Sequence, residues 1–261
     1  MVWTSNYVVL DTETTGLSKN PLAEVIEVGV IALDRNGLSE IGRFQSLIKP
    51  ANIDLNKPLP DWSKKAFEKH QISVEELMVA PSPEDVCHKI IGLLKKLSKP
   101  ILVGQNIDFD VRMLRRLFRS CDEDFDEYFF SPIIDLYSIS YMFWRDDADM
   151  PNVQLGTVAE KLKIKPGEAH RALGDCETSV PVFKKFMDFI GQYAGVISDV
   201  KIKDPKRMTG KYACPMCGYG LSLRTAKRGV NKNNKFYGCK GFPSCRFTCQ
   251  LNEIEQYERN E

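Results

Sequence analysis

The chain has 261 residues, 43% hydrophobic and 27% charged, with a formal net charge of +1. That length holds one sizeable core plus a small module, and the balance excludes a disordered or fibrous chain. No run approaches the ~18–20 apolar residues of a membrane span, and the start Met1-Val2-Trp3-Thr4-Ser5-Asn6 has neither the basic nor the apolar region of a secretory signal, so the expectation is a cytoplasmic protein with no membrane partner.

Periodicity predicts three opening strands at 7–12, 24–34 and 41–48, joined by turns such as Asp34-Arg35-Asn36-Gly37. The first is apolar through Tyr7-Val8-Val9-Leu10 and runs into Asp11-Thr12-Glu13-Thr14-Thr15-Gly16-Leu17. Side chains alternate along a strand, so Asp11 and Glu13 share a face. Two carboxylates there repel unless a cation separates them. A divalent ion bound by oxygens is one reading; a solvated Asp-x-Glu at a strand end is the other.

Helices follow at 63–70 and 83–98, the second with an apolar stripe of Ile90, Ile91, Leu94 and Leu97. A strand at 101–104 leads through Gln105-Asn106-Ile107-Asp108-Phe109 into a helix at 110–119, placing Asp110 at its N-cap or first turn. A strand at 132–136 and helices at 155–163 and 171–192 complete the run; His170-Arg171-Ala172-Leu173-Gly174-Asp175 opens the last. Taken singly, Asp110 is a helix cap and His170 a surface imidazole. Phe125, Tyr128, Phe129, Phe130, Phe143 and Trp144 are expected to be core or helix-packing residues rather than to stack on bases, and Asp135 to be structural. Three consecutive strands, then alternating helices and strands, predict an α/β fold with a mixed sheet flanked by helices.

Together, three of these stretches resemble motifs I, II and III of the DEDDh 3′–5′ exonuclease family, over roughly residues 6–190 and closest to its proofreading-subunit-like and RNase T-like branches. Asp11 and Glu13 match motif I, Asn106, Phe109 and Asp110 motif II, and His170 and Asp175 motif III in the form His-Arg-Ala-Leu-x-Asp. The segment from Trp62-Ser63 to His70-Gln71-Ile72-Ser73 is similar to the family's helix before a His-Gly-Ile-Thr turn, with Gln71 in place of glycine. Gln105 stands where the family has histidine, a position that is not a metal ligand there. The resemblance implies an RNase H-like fold, and Thr14, Thr15, Gly16, Leu17, Asn106 and Phe109 are taken as substrate contacts. It also implies that Glu13 both holds metal and packs near the 3′-terminal nucleotide, and leaves a homodimer open.

Phosphodiester hydrolysis needs a hydroxide, stabilisation of charge on phosphorus, and release of an alkoxide. Two divalent ions about 3.5–4 Å apart supply all three. Asp11, Glu13, Asp110 and Asp175 are the expected ligands, and oxygen ligands favour Mg²⁺ or Mn²⁺ over Zn²⁺. His170, with an ordinary pKa of about 6.5, is the expected general base.

At the C-terminus, Cys214-Pro215-Met216-Cys217-Gly218 is followed by Cys239-Lys240-Gly241-Phe242-Pro243-Ser244-Cys245. Two such pairs suit one tetrahedral structural Zn²⁺ held by Cys214, Cys217, Cys239 and Cys245, with Cys249 a substitute and disulfides the alternative. The segment resembles the C-terminal zinc-binding domain of type IA topoisomerases, through Cys-Pro-x-Cys-Gly, Leu221, Leu223, Arg224, Phe236-Tyr237-Gly238-Cys239 and Phe242-Pro243. In that family such modules bind single-stranded DNA.

Charge is unevenly partitioned. Residues 201–249 hold twelve Lys/Arg against one acid, Asp204, and residues 250–261 hold four Glu against one Arg, which leaves residues 1–200 at −7. Aromatics interleave with the basic residues, the pattern by which proteins hold single strands without reading sequence; Arg224, Lys235, Phe236 and Tyr237 are the expected contacts, and at least two of the module's aromatics are expected in its core. The predicted organisation is an exonuclease domain at 1–194, a linker at 195–211, a four-cysteine zinc ribbon at 212–250 and an acidic tail at 251–261. The predicted function is a metal-dependent 3′–5′ exonuclease on single-stranded or 3′-overhanging DNA. RNA 3′ ends are the alternative substrate, and a non-catalytic nucleic-acid adaptor the alternative class.

Overall fold

A computed structural model describes residues 5–97, 99–130, 132–199 (side chains to Gln192), 211–215, 219–229, 231–240, 242 and 245–258. The chain divides into two compact units, Met1–Ile190 and Gly191–Glu261. Most of the linker expected at 195–211 lies outside the described residues.

The first unit is built on a five-stranded mixed sheet. Strands β1 (Tyr7–Thr14), β2 (Val25–Leu33) and β3 (Glu40–Leu47) form an antiparallel meander, and β4 (Ile101–Gly104) and β5 (Ile133–Asp135) add in parallel on the other side, giving the order β3-β2-β1-β4-β5. Helices on both faces require the central strands to be apolar on both sides, and β2 is buried at every position. Val8 and Leu10 point into a core shared with α3 (Pro83–Leu94) and α4 (Asp108–Ser120). Val9, one residue out of phase, points into a second core shared with α6 (Leu136–Trp144), α7 (Leu155–Lys161) and α8 (Ala172–Asp199). This is the RNase H-like arrangement expected.

Three helices escaped the periodicity reading: α2 (Val74–Met78), α5 (Phe125–Tyr128) and α6. The first two are too short for a periodic signal. The third is rich in aromatic residues, which favour strands. Asp135 starts it by accepting the amides of Tyr137 (3.2 Å) and Ser138 (3.3 Å), an N-cap. The aromatic clusters pack as expected: Phe125 stacks on Phe129 at 4.5 Å and Phe143 on Phe186 at 5.4 Å between ring centres. Helix α1 (Asp61–His70) ends at Gln71, whose φ of 56° is left-handed. Glycine meets that requirement without steric cost; glutamine adopts it at a cost of roughly 1 kcal/mol.

The second unit contains a three-stranded antiparallel sheet of β6 (Leu221–Thr225), β7 (Lys235–Cys239) and β8 (Thr248–Cys249), followed by a 3₁₀ helix, Leu251–Tyr257. Its core is small: Cys214, Leu221, Cys239, Cys249 and Ile254, with Tyr212, Tyr237 and Phe247 packed around them. The segment expected as an acidic tail therefore belongs to the module, since Ile254 is buried in it and Lys211 pairs with Glu258 at 3.1 Å. Two or three apolar residues in a charged run give too weak a pattern to read.

Candidate active site and zinc module

The site forms where β1 and β4 end, the usual ligand edge of parallel strands in α/β sheets. Period two puts Val9, Asp11 and Glu13 on the face covered by α8. The antiparallel register sets Asp11 opposite Gly29 and Glu13 opposite Glu27. Gly29 has a steric reason: a Cβ there would stand 2.4 Å from the Ala172 carbonyl carbon, so glycine lets the start of α8 reach the sheet. That approach brings in His170 and Asp175. Ligand atoms of Glu13, His170 and Asp175 all lie within 4.8 Å of one another.

Asp110 arrives from the opposite face. It lies in the first turn of α4, which begins at Asp108 rather than at 110. Its Oδ1 accepts from the Thr12 amide at 3.0 Å and the Thr12 hydroxyl at 2.6 Å. Thr12 thus turns one carboxylate over the end of β1 toward the Asp11 side. Asn106, also left-handed with φ of 55°, shapes the preceding turn, and its amide donates to Asp135 Oδ1 at 2.8 Å. Asp135 is a brace for that turn as well as the cap of α6. Gln105 donates to the Val153 carbonyl at 2.7 Å.

Crowded acids in a desolvated pocket hold their protons. The Asp11 carboxyl is pushed well above its ordinary range by burial, then by Asp110, Asp175 and Glu13. Glu13 is pushed up to about 8 by burial, with Lys69 opposing and Asp175, Glu27 and Asp110 adding. Asp110 rises to about 7 through burial, against the two Thr12 hydrogen bonds. Burial also raises Asp175, and His170 counters it. A donor set of oxygens that cannot all ionise together suits hard divalent cations, which would replace the protons.

The remaining predicted contacts separate by geometry. Thr14 Oγ1 donates to the Gly16 carbonyl at 2.8 Å, and the fully buried Thr15 hydroxyl accepts the Glu24 amide at 2.9 Å, so both side chains are spent on the turn. Substrate contact by the Thr15 side chain is corrected on that ground. Gly16 faces Trp62 of α1, whose ring would lie 3.1 Å from an added Cβ. Leu17 is 61% exposed. Phe109 packs partly against the core, and His170 is exposed with φ of 61°. Thr12, Gly29, Glu27 and Lys69 were not read from sequence. Glu27 was the visible clue, an acid inside an otherwise apolar strand. The exposed Lys69 faces Asp11, Glu13 and Asp175 electrostatically. His70 accepts the Ile72 amide on Nδ1 at 3.1 Å, which closes the turn after α1.

In the second unit, the sulfurs of Cys214, Cys239 and Cys245 lie within 4.8 Å of one another. Cys214 and Cys245 are 3.7 Å apart, beyond a disulfide bond of about 2.05 Å. Cys217 lies outside the described residues. Cys249 sits in β8, and the cluster takes Cys245 instead. Three gathered thiols in a module with so small a core fit a structural Zn²⁺. Register assigns the two faces of the sheet. Arg224 lies opposite Phe236, donates to the Cys239 carbonyl at 2.9 Å and spans the ring of Phe242 at 5.9 Å. Tyr237 falls on the other face, edge-on to Tyr212 at 5.6 Å between ring centres, so it is one of the core aromatics and does not share the face of Phe236. Lys235 is exposed.

Residues 8–183 match the family model described as Exonuclease, and residues 211–254 the one described as Topoisomerase DNA binding C4 zinc finger. The 3′–5′ exonuclease DinG of Staphylococcus haemolyticus is 28% identical over 187 residues, covering 70% of this chain and 18% of that protein. A PolC-type DNA polymerase III of Thermotoga petrophila is 29% identical over 187 residues, covering 71% and 12%. The chain therefore spans less than a fifth of the length of these curated relatives. Among solved structures, the nuclease domain of 3′hExo, a DEDDh family member bound to rAMP, gives a TM-score of 0.57 at 19% identity, covering 71% of this chain and 93% of that one. E. coli Exonuclease I in complex with a dT13 oligonucleotide gives 0.57 at 15% identity, covering 93% and 53%. Both are likenesses of fold. No helix among the described residues is long and apolar enough to cross a membrane.

Proposed function

The chain belongs to the exonuclease family, and on that footing we propose that it is a 3′–5′ exonuclease releasing nucleoside monophosphates from single-stranded or 3′-overhanging DNA. The observation that supports this reading is that ligand atoms of Glu13, His170 and Asp175, from β1 and the start of α8, lie within 4.8 Å of one another, while Asp11 and Asp110 interact electrostatically with Asp175 at the same strand edge. Asp11, Glu13, Asp110 and Asp175 would hold two Mg²⁺ or Mn²⁺ ions, which when bound lower the pKa of water and neutralise charge at the scissile phosphate. His170, exposed beside Asp175, accepts the proton of the attacking water. Thr12 holds Asp110 in its orientation, and Lys69 supplies a positive charge toward an incoming phosphate. Leu17 offers an apolar surface to the terminal nucleotide.

The zinc ribbon serves as the tether. Residues 212–250 carry the basic and aromatic surface, in which Arg224 lies opposite Phe236 and over the ring of Phe242. DNA is favoured over RNA by the likeness of this module to a topoisomerase DNA-binding finger.

The test is a ladder assay on matched 5′-end-labelled DNA and RNA strands with Mg²⁺ or Mn²⁺. A ladder shortening from the 3′ end, abolished by Asp11→Ala, is expected. Undiminished hydrolysis by Asp11→Ala would sink the site assignment, and faster decay of RNA would overturn the substrate choice. Removing residues 201–261 should leave hydrolysis of short oligonucleotides intact, with weaker binding and a shallower salt dependence, by about 0.7 in log–log slope per lost phosphate contact.

A further inference from the structure

Glu27 is an acid beside the metal ligands that the proposed chemistry does not use. It lies in β2, fully buried, on the face that carries Asp11 and Glu13. An unpaired carboxylate there would be strongly unfavourable. Glu27 is instead saturated with donors. Arg171 reaches it through Nη2 at 2.9 Å and through Nε at 3.2 Å to each oxygen. The Ala172 amide donates at 2.9 Å, and Gln45 Nε2 at 2.9 Å. Apart from Gln45, every one of these donors belongs to the two residues that follow His170.

The same short segment is fixed again from other directions. The Asp175 amide donates to the Arg171 carbonyl at 2.9 Å, and the Cys176 thiol donates to the Gly29 carbonyl at 3.3 Å. Ala172 itself presses against Gly29. His170, by contrast, is exposed and left-handed. A non-glycine residue persists in that conformation where its surroundings determine it. Glu27 and Arg171 supply that determination immediately on its C-terminal side.

Net stability is a weak account of this pair. A buried ion pair contributes little more than well-packed apolar residues in its place, because desolvation offsets most of the attraction. Its geometry is specific where its energy is not, because a two-pronged guanidinium–carboxylate contact fixes direction.

We infer that Glu27 and Arg171 are positioning residues for the reaction, holding the peptide that presents His170 and the helix start that presents Asp175. The inference rests on the exonuclease reading and adds to it two residues that need touch neither substrate nor metal.

The test uses the full chain and compares kcat and KM on a labelled oligonucleotide for Glu27→Gln, Arg171→Lys, Arg171→Ala and the double variant Glu27→Gln/Arg171→Ala. A misplacement of about 1 Å costs about 100-fold, so Glu27→Gln and Arg171→Ala should lose kcat on that order with KM little changed. Arg171→Lys, which keeps the charge but loses the fork, should fall between. The double variant should be no worse than the worse single, as for residues acting as a unit. Guanidinium ion added to Arg171→Ala should restore part of kcat. The chain has three histidines, so the imidazole ¹H–¹⁵N signals report directly: His170 should shift in Glu27→Gln and His88 should not. Wild-type kcat in either single variant, multiplying losses in the double, or an unmoved His170 signal would overturn the inference. Should a variant fold poorly, Arg171→Lys and the guanidinium rescue decide. A wild-type chain that hydrolyses nothing removes the exonuclease reading and this inference with it, whereas an active wild type with unaffected variants removes the positioning pair alone.

Discussion

Replacing Glu13 by glutamine should make the metal-free protein more stable while disabling it. The Glu13 carboxyl is raised from the usual 4.5 to about 8 in the folded chain. The unfolded chain releases that proton near pH 4.5 and the folded chain keeps it until about pH 8, so folding is penalised as pH rises through this window. Each pH unit costs about 1.4 kcal/mol, or roughly 3 kcal/mol by pH 7. Glutamine carries no such proton. At about 2–4 °C per kcal/mol for a domain of this size, the variant should melt roughly 5–15 °C above wild type at pH 7 and within a degree or two of it near pH 4.5. Saturating Mg²⁺ or Mn²⁺ should reverse the order, since ions that bind the folded wild type stabilise it by mass action. The assay is thermal melting in buffers freed of Mg²⁺ and Mn²⁺ by resin. A metal-free variant no more stable than wild type at pH 7, or a gap that does not change with pH, would refute the reasoning.

Thr12→Val removes the 2.6 Å hydroxyl bond to Asp110; a bond to a charged group contributes about 1.5–3 kcal/mol, so half-saturation by Mn²⁺ should need at least tenfold more ion in an activity titration. Gln71→Gly relieves the left-handed backbone after α1 and should raise stability by about 0.5–1 kcal/mol in denaturant melts; a loss would mean that the glutamine side chain holds more than the backbone costs. Chelation of zinc, or Cys239→Ser, should unfold the second unit and leave the melt of the first unchanged, visible as selective loss of the dispersed amide signals of residues 211–258. In pH–rate profiles the acid limb should move to lower pH as Mn²⁺ rises, because the ion competes with the protons on Glu13 and Asp110; a limb that stays fixed would refute that competition.

The sheet and the main helices were legible because burial imprints its period on the chain. In β1 the same alternation sends Leu10 to one core and Val9 to the other, and carries Asp11 and Glu13 onto a single face. The acids of the candidate site stood out because each sits in a short local signature. What positions them was not. Thr12 earns its place through a residue 98 positions away, and Glu27 through one 144 positions away; a single chain read linearly carries no sign of either pairing. Helix α6 was missed for a related reason, since its start depends on the Asp135 side chain rather than on a periodic polar face. In the ribbon, interleaved aromatics and cations predicted a mixed aromatic and basic surface. They could not say that Tyr237 turns inward while Phe236 turns toward Arg224, because that depends on strand register.

The charge distribution and the site's proton chemistry lead to one constraint. The first 200 residues carry a net −7, and at their centre four carboxyls are packed tightly enough to resist ionisation. Such a surface repels a polyanion, and such a cluster disfavours the metal-free fold. Divalent ions bound as proposed would relieve both at once, by neutralising the pocket and by turning repulsion among its carboxylates into shared coordination. Ion binding, release of protons and approach of the phosphate are therefore linked, and each must favour the others. The basic residues stand elsewhere in the sequence, between 201 and 249. Placed around the pocket, the same cations would compete with the metal ions for the carboxylates. On the proposed function, cations carried by a module separate in sequence would let the chain hold a strand electrostatically without adding positive charge to the domain whose acids the chemistry needs.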